Sequence, residues 1–167
     1  MITAQEFEKL ALAQVAGHAP GSDKMVFRAV LNLSRVSARM LADFESTVQR
    51  PRGLTWPGFR LLFCLWAAGP LQTRELARLL STTAPTVSSV LNTLERRGFV
   101  TRERLPRDQR LVEASLTDAG QEVIDAAFVE QHARERAWLD VLTRKELKAF
   151  VATLEVLANR HRPDDGG

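Results

Sequence analysis

The chain has one cysteine in 167 residues, no tyrosine and only three histidines. A lone thiol, Cys64, excludes an intrachain disulfide and fits a reducing compartment. His18, His132 and His161 stand far apart and in no metal-ligand spacing, so no metal or other cofactor is expected. Long apolar runs are missing as well. The stretch "LLFCLWAAG", starting at Leu61, breaks at Gly69-Pro70, far short of the ~20 residues that cross a bilayer. The N-terminus mixes Glu6, Glu8 and Lys9 into its apolar stretch and has no signal-peptide layout. There is no Gly-rich phosphate loop and no nucleophile elbow, so an enzyme is not expected. These absences leave a soluble, cytoplasmic protein with no membrane partner. Its 45% hydrophobic content is enough for a real core.

Charge is uninformative in bulk and informative in place. The net formal charge is +3. Between Leu71 and Val112 there are eight arginines and four carboxylates, a local +4 that leaves the rest of the chain at −1. A localised basic excess is the electrostatic footprint of polyanion binding.

Periodicity divides the chain into helices and one β-hairpin. Thr3 and Glu6 form a capping box for a first helix, about residues 2–15, with Phe7, Leu10 and Ala11 on one face. "GHAPGS" breaks it. A long helix follows over about 23–48, its Val26, Val30, Leu33, Met40, Phe44 and Val48 recurring at three-to-four spacing, with one longer step that Val36 or Ser37 fills. At ~39 Å it is too long for one small domain to bury, which points to packing against a second copy. Thr55 caps a helix carrying Phe59, Leu62, Phe63, Leu65 and Trp66. After a two-residue link, Leu71-Gln72, Thr73 is expected to cap a short helix with Leu76, Leu79 and Leu80 inward. "STT" turns into the helix "APTVSSVLNTLERR", with Pro85 tolerated in its first turn and Gly98 as its expected stop. The period then changes to two, in "FVTRER" and "RLVEASL", with Val112, Ala114 and Leu116 on one face and "LPRDQ" as the hairpin tip. Thr117 caps a helix over about 118–141, and Thr143 with Glu146 caps a last one. The terminal "RPDDGG" is expected to be disordered.

The helix from Ala84 has two unlike faces. Val87, Val90, Leu91 and Leu94 share one side. Opposite lie Pro85, Ser89, Asn92 and Arg96, flanked by Thr86, Ser88 and Thr93, and no charged residue occurs from Ala84 to Leu94. Helix propensity would favour Lys or Glu on an exposed face. A DNA major groove favours this set instead. Hydroxyls and carboxamides match mixed donors and acceptors on base edges, and phosphates repel carboxylates. Asn92 can pair bidentately with an adenine. Arg96 and Arg97 are held back to the helix end, where phosphates come within reach. A short helix, a tight turn, this helix and a basic hairpin make a winged helix-turn-helix. Arg104, Arg107 and Arg110 crowd the wing tip, suited to a narrow minor groove. Asp108 can accept from Arg110 and orient it, with Gln109 between them. Thr73, Thr82 and Thr83 are candidates for phosphate contacts.

The run "LARLLSTTAPTVSSVLNTLERRGFVTRERLPRDQRLVEASLTDAG" resembles the MarR family (multiple-antibiotic-resistance regulators). The matching points are "LNTLERRGFV", the Asp-x-Arg wing "DQR" at 108–110, "SLTDAG", and upstream "LTWPGFRLLFCL". The resemblance spans about residues 25–160. It implies a winged-helix homodimer whose first and last helices interleave, with two reading heads on a pseudo-palindromic DNA operator. It places Pro85 to Thr93 on the recognition helix and Arg107 to Arg110 on the wing. It implies repression of transcription, relieved by a small phenolic or other aromatic ligand or by cysteine oxidation. This chain departs from the family at Ser89 and Thr93, where basic residues are common, and at Gln109, often arginine. The family's peroxide sensors carry a cysteine near the start of the first long helix together with tyrosines, and neither is present here. The stretch before Asp23 is longer than the minimal pattern.

The expected organisation is a mainly α protein with a small β wing. Residues 1–22 form an N-terminal helical extension. Residues 23–53 and 118–162 are dimerisation helices, 54–117 the winged helix-turn-helix, and 163–167 the tail. Arg39, Trp56, Phe59, Phe63 and Trp66 are candidates to line a ligand pocket, with Arg39 as partner for a carboxylate. Cys64, in an apolar helix, reads as packing rather than as a sensor. The alternative is a winged helix that binds a partner protein instead of DNA.

Overall fold

In the computed structural model the described residues are 2–19, 21–105 and 108–160, with the side chains of 105–111 excepted. The elements run α1 (Ala4–His18), α2 (Lys24–Phe44), α3 (Trp56–Ala68), β1 (Leu71–Gln72), α4 (Thr73–Leu79), α5 (Ala84–Arg96), β2 (Val100–Leu105), β3 (Asp108–Leu116), α6 (Asp118–Leu139) and α7 (Arg144–Ala158). The expected helices and hairpin strands are therefore present in the expected order. Both capping boxes form: Thr3 with Glu6 and Thr143 with Glu146. Thr55 and Thr117 cap α3 and α6 as read from sequence.

Three local expectations need correction. Leu71-Gln72 is a short strand rather than a bare link. It pairs antiparallel with β3, Leu71 opposite Ala114, so the hairpin supplies two strands of a three-stranded sheet ordered β1-β3-β2, with β3 in the middle. Two residues carry no periodicity, so only the distant partner reveals this strand. Thr73 is the first helical residue of α4, not its cap. Gln72 holds the cap position, its amide donating to the Glu75 carboxylate at 2.9 Å. Leu79 is 49% exposed, whereas Leu76 and Leu80 are buried.

The long helix also changes character before it ends. After Phe44 it widens into a π turn, Glu45–Gln49, then tightens into a 3₁₀ turn, Arg50–Arg52, closed by Gly53 at φ 65°. Ser46 and Thr47 hydroxyls both donate to the Asp43 carbonyl, at 3.1 and 2.7 Å, and compete with the ordinary backbone ladder there. Pro51 then has no N–H to continue it.

One core gathers α3, α4, α5, the sheet and α6. Leu61, Leu62 and Leu65 of α3 sit at its centre, against Leu76 and Leu80 on one side and Val87, Leu91 and Leu94 of α5 on another. Val100 and Ala114 close it from the sheet, and Ile124 and Ala127 from α6. The outer helices differ. On α2, Val26 and Val30 are 59% and 60% exposed, and Leu33 and Val36 also face outward. Phe7 and Leu10 on α1 and Phe150, Val151 and Leu157 on α7 are exposed too. The opposite side of α2 is polar, and there Arg28 and Asn32 donate to Glu8 of α1 at 2.7 and 3.2 Å.

α2 is tied to α6 through Asp43. Its carboxylate accepts from both nitrogens of the Arg134 fork, the shortest at 2.6 Å, and from the Trp138 indole at 2.7 Å. The Arg134 hydrogen bonds, then that of Trp138, hold the Asp43 carboxyl below the usual carboxylate range. The folded state therefore favours the ionised form. Its contribution is complete above the unfolded value, about pH 4, and is lost as pH falls through the depressed folded value. Asp43→Asn is expected to flatten the acid limb of stability. Urea midpoints measured between pH 7 and pH 2 test this, and a slope unchanged by the substitution would refute it.

Candidate nucleic-acid interface

α5 is presented by its own sequence. Thr83 caps it, accepting from the Thr86 amide, and the two hydroxyls meet at 2.9 Å. Buried Val87, Leu91 and Leu94 fasten the inner face, so Pro85, Thr86, Ser89, Asn92, Thr93 and Arg96 are exposed on the outer one, with Ser88 half-buried. The Thr93 hydroxyl donates to the Ser89 carbonyl at 3.2 Å, and Arg96 donates back to Asn92 O at 3.3 Å. Among the described residues the Asn92 carboxamide has no hydrogen-bond partner, so its donor and acceptor are both open. The C-terminus is a Schellman turn: Phe99 N donates to Leu94 O at 3.0 Å and Gly98 N to Glu95 O at 2.8 Å, with Gly98 at φ 73°.

Two arginines of the basic window are engaged by neighbouring elements. Arg97 donates to the carbonyls of Gly53 and Arg52, and its guanidinium lies 4.7 Å from the centre of the Phe99 ring. It fastens the α2–α3 loop to the end of α5 instead of standing free for phosphate. Arg102 pairs with Glu95 and so ties β2 to α5. The Arg102 hydrogen bond holds the Glu95 carboxyl below its ordinary value. Sequence reasoning could not separate these arginines from the outward ones, because their partners lie outside their own element.

Arg104 is exposed on β2. Arg107 lies outside the described residues, as do the side chains of Asp108, Gln109 and Arg110, whose backbone belongs to β3. Thr73 and Thr82 are half-buried and Thr83 is exposed, at the beginnings of α4 and α5. The turn between those helices passes through Ser81, which holds φ 51° without being glycine. A non-glycine residue in that region costs of order 1 kcal/mol and persists only where neighbours determine it.

An open cavity of about 390 Å³ lies between α3, α4 and α6. Trp56, Phe59 and Phe63 line it, with Phe128 stacked 5.9 Å from Phe63. Trp66 stands beside it, its ring 5.0 Å from Phe128 and its indole donating to Asp125 at 2.8 Å. The exposed Leu79 lines the cavity, which accounts for its not joining the core. The cation is a correction. Arg39 is exposed on α2 and takes no part in this lining; the arginine there is Arg60 of α3. Helical spacing puts Arg39 on the polar side of α2 with Arg28 and Arg35. Cys64 also lines the cavity, and burial pushes its thiol upward, away from the thiolate a redox sensor needs.

A family model for MarR matches residues 54–112, from the end of the α2–α3 loop into β3. A Bacillus subtilis protein described as an uncharacterized HTH-type transcriptional regulator, YwaE, is 34% identical over 128 residues, covering 77% of this chain and 75% of its own. The chain belongs to the MarR family. Two further comparisons agree. A Mycobacterium bovis HTH-type transcriptional repressor, Mb2911, is 32% identical over 127 residues, 76% of this chain and 91% of its own. Sco3205 of Streptomyces coelicolor, a MarR-family regulator solved in complex with DNA, superposes with TM-score 0.76 at 26% identity, covering 85% of this chain and 89% of that one. This MarR-family chain is thus a transcriptional regulator and not an enzyme. Its fold is the mainly helical winged helix with a small three-stranded sheet, and no described helix is long and apolar enough to cross a membrane.

Proposed function

We propose that the protein is a homodimeric, DNA-binding repressor released by a small ligand. The observation that carries this is α5. It exposes Ser89, Asn92 and Thr93, with no charge before Arg96 on that face, beside a basic wing. Hydroxyls and a carboxamide on a rigid helix suit base edges, and Arg104 with the wing arginines suits the backbone and minor groove. The DNA complex of Sco3205 supports the same use of the fold, and the repressor name of Mb2911 supports the sign. Dimerisation is supported by the open apolar stripe of α2 and the exposed apolar residues of α1 and α7, which a second copy would cover. Ligand release is supported by the aromatic-walled cavity, which touches the reading head through α3 and α4 and the outer body through α6.

DNA from upstream of the protein's own coding region, tested by mobility shift at low salt, is expected to contain an inverted repeat with half-sites about 34 Å apart that binds in preference to random DNA. No preference for any inverted repeat would overturn the reading. Arg110→Ala is expected to weaken binding at all sequences alike and to reduce the salt slope by about one. An unchanged slope would show that this side chain does not meet phosphate. Complete absence of salt-sensitive DNA affinity would favour a protein-binding winged helix instead.

A further inference from the structure

The cavity and the reading head share one side chain. Arg60 lines the cavity with Trp56, Phe63 and Glu135. It also lines a smaller cleft of about 110 Å³ whose other walls include Thr82, Thr86 and Val90. Its Nη2 donates to the Leu80 carbonyl at 3.1 Å. Leu80 closes α4, where backbone carbonyls lack helical partners and a cation is favoured. The next residue is Ser81, in the left-handed region, and two further on Thr83 caps α5. Besides Arg60, the turn is held by Ser81 N on Arg78 O at 3.2 Å and Thr82 N on Ala77 O at 3.0 Å. From α3, Arg60 therefore holds the turn that sets how the recognition helix leaves α4.

This guanidinium has capacity to spare. It presents five N–H donors, and among the described residues it has no ion-pair partner. The carboxylate in the same cavity, Glu135, is engaged by Gln131 at 3.1 Å and His132 at 3.3 Å. A carboxylate accepts two N–H bonds side by side from an arginine, and such charge-assisted bonds are about twice as strong as neutral ones. A planar aromatic anion in this cavity would stack on Trp56 or Phe63 and compete with the Leu80 carbonyl for the same group. A ligand shifts an equilibrium only by its differential affinity for two states, and Arg60 supplies that difference: tied to Leu80, or turned to the anion.

We propose that Arg60 is the residue that senses an anionic ligand in the cavity and transmits its presence to the helix-turn-helix, through loss of the Arg60–Leu80 contact. The inference rests on the ligand-release reading above and adds to it the residue that senses and the contact that breaks.

The test uses the full chain, with benzoate and its uncharged counterpart benzamide as probes. Amide exchange at Ser81 and Thr82 and affinity for upstream DNA are both measured. Millimolar benzoate is expected to speed exchange at these amides about tenfold and to weaken DNA binding, and benzamide is expected to do neither. Arg60→Met is expected to exchange fast without ligand and to show no response to benzoate. Wild-type exchange rates at the turn in Arg60→Met, no effect of benzoate on the wild-type turn, or an equal effect of benzoate on both proteins would each overturn the proposal. If α6 amides show that Arg60→Met is not folded, Arg60→Lys decides. Its ammonium keeps a donor for Leu80 but loses the two-point grip, so benzoate is expected to act several-fold more weakly, and an undiminished effect would overturn the proposal. Wild-type protein that binds no DNA sequence would instead refute the regulator reading, while turn exchange would still report on Arg60.

Discussion

Gly120→Ala is expected to destabilise the protein by about 2–3 kcal/mol, although alanine is the better helix former. Gly120 lies in the first turn of α6, where the helix backbone meets the end of the α5–β2 connection. A Cβ added there would fall far inside van der Waals contact of the Phe99 carbonyl oxygen and 2.9 Å from its carbon. The obstacle is backbone, so no side-chain rotation relieves it. Moving α6 away would sacrifice the hydrogen bonds from Thr117 N to Phe99 O at 3.1 Å and from the Thr117 hydroxyl to Gly98 O at 2.6 Å. The helix-propensity gain, at most about 1 kcal/mol, is the smaller term. A chain of this size should lose roughly 5–10 °C of melting temperature. Thermal and urea unfolding check this, and a change within 2 °C, about the reach of propensity alone, would show that the contact relaxes freely. The same geometry explains "LTDAG" physically: threonine caps the helix and ties it to the preceding turn, and glycine lets the two backbones touch.

Leu33→Asp is expected to leave the single chain folded and to abolish dimer formation. Leu33 is 46% exposed in the isolated chain, in line with Val26 and Val30 on α2, so a carboxylate there meets water when the chain is alone. In a dimer it would be buried in an apolar contact without a partner, at a cost of several kcal/mol. Sedimentation should give the monomer mass with unchanged helical content. Operator affinity should fall about 100- to 1,000-fold, since two tethered reading heads gain roughly that from bivalency. A Leu33→Asp protein that remains dimeric and keeps its affinity would show that this stripe is not the interface.

The neutral face of α5 was legible because it depends on spacing inside one element. Apolar residues at Val87, Leu91 and Leu94 orient the helix whatever surrounds it, and the residues opposite must point away. Threonine caps were legible for the same reason at Thr55 and Thr117, which each bond an amide three residues on. Thr73 was misjudged because Gln72 stood one residue earlier with Glu75 in reach. The π turn after Phe44 escaped because Ser46 and Thr47 do not announce which carbonyl their hydroxyls will take.

Local pattern thus settled the order of helices and wing, the cap chemistry and the outward chemistry of the reading helix, because those follow from periods of two and 3.6 and from bonds between near neighbours. Packing alone decided which arginines of the basic window are held by other elements of the fold. Arg97 and Arg102 belong to the same basic window as Arg96 and Arg104, yet their partners, Gly53 and Glu95, are brought to them by the turn of the chain. Packing also decided that Arg60 rather than Arg39 faces the cavity, since that depends on how α3 is rolled against α6. Such contacts join residues whose separation along the chain carries no period, and their free energy is gained only when the core closes.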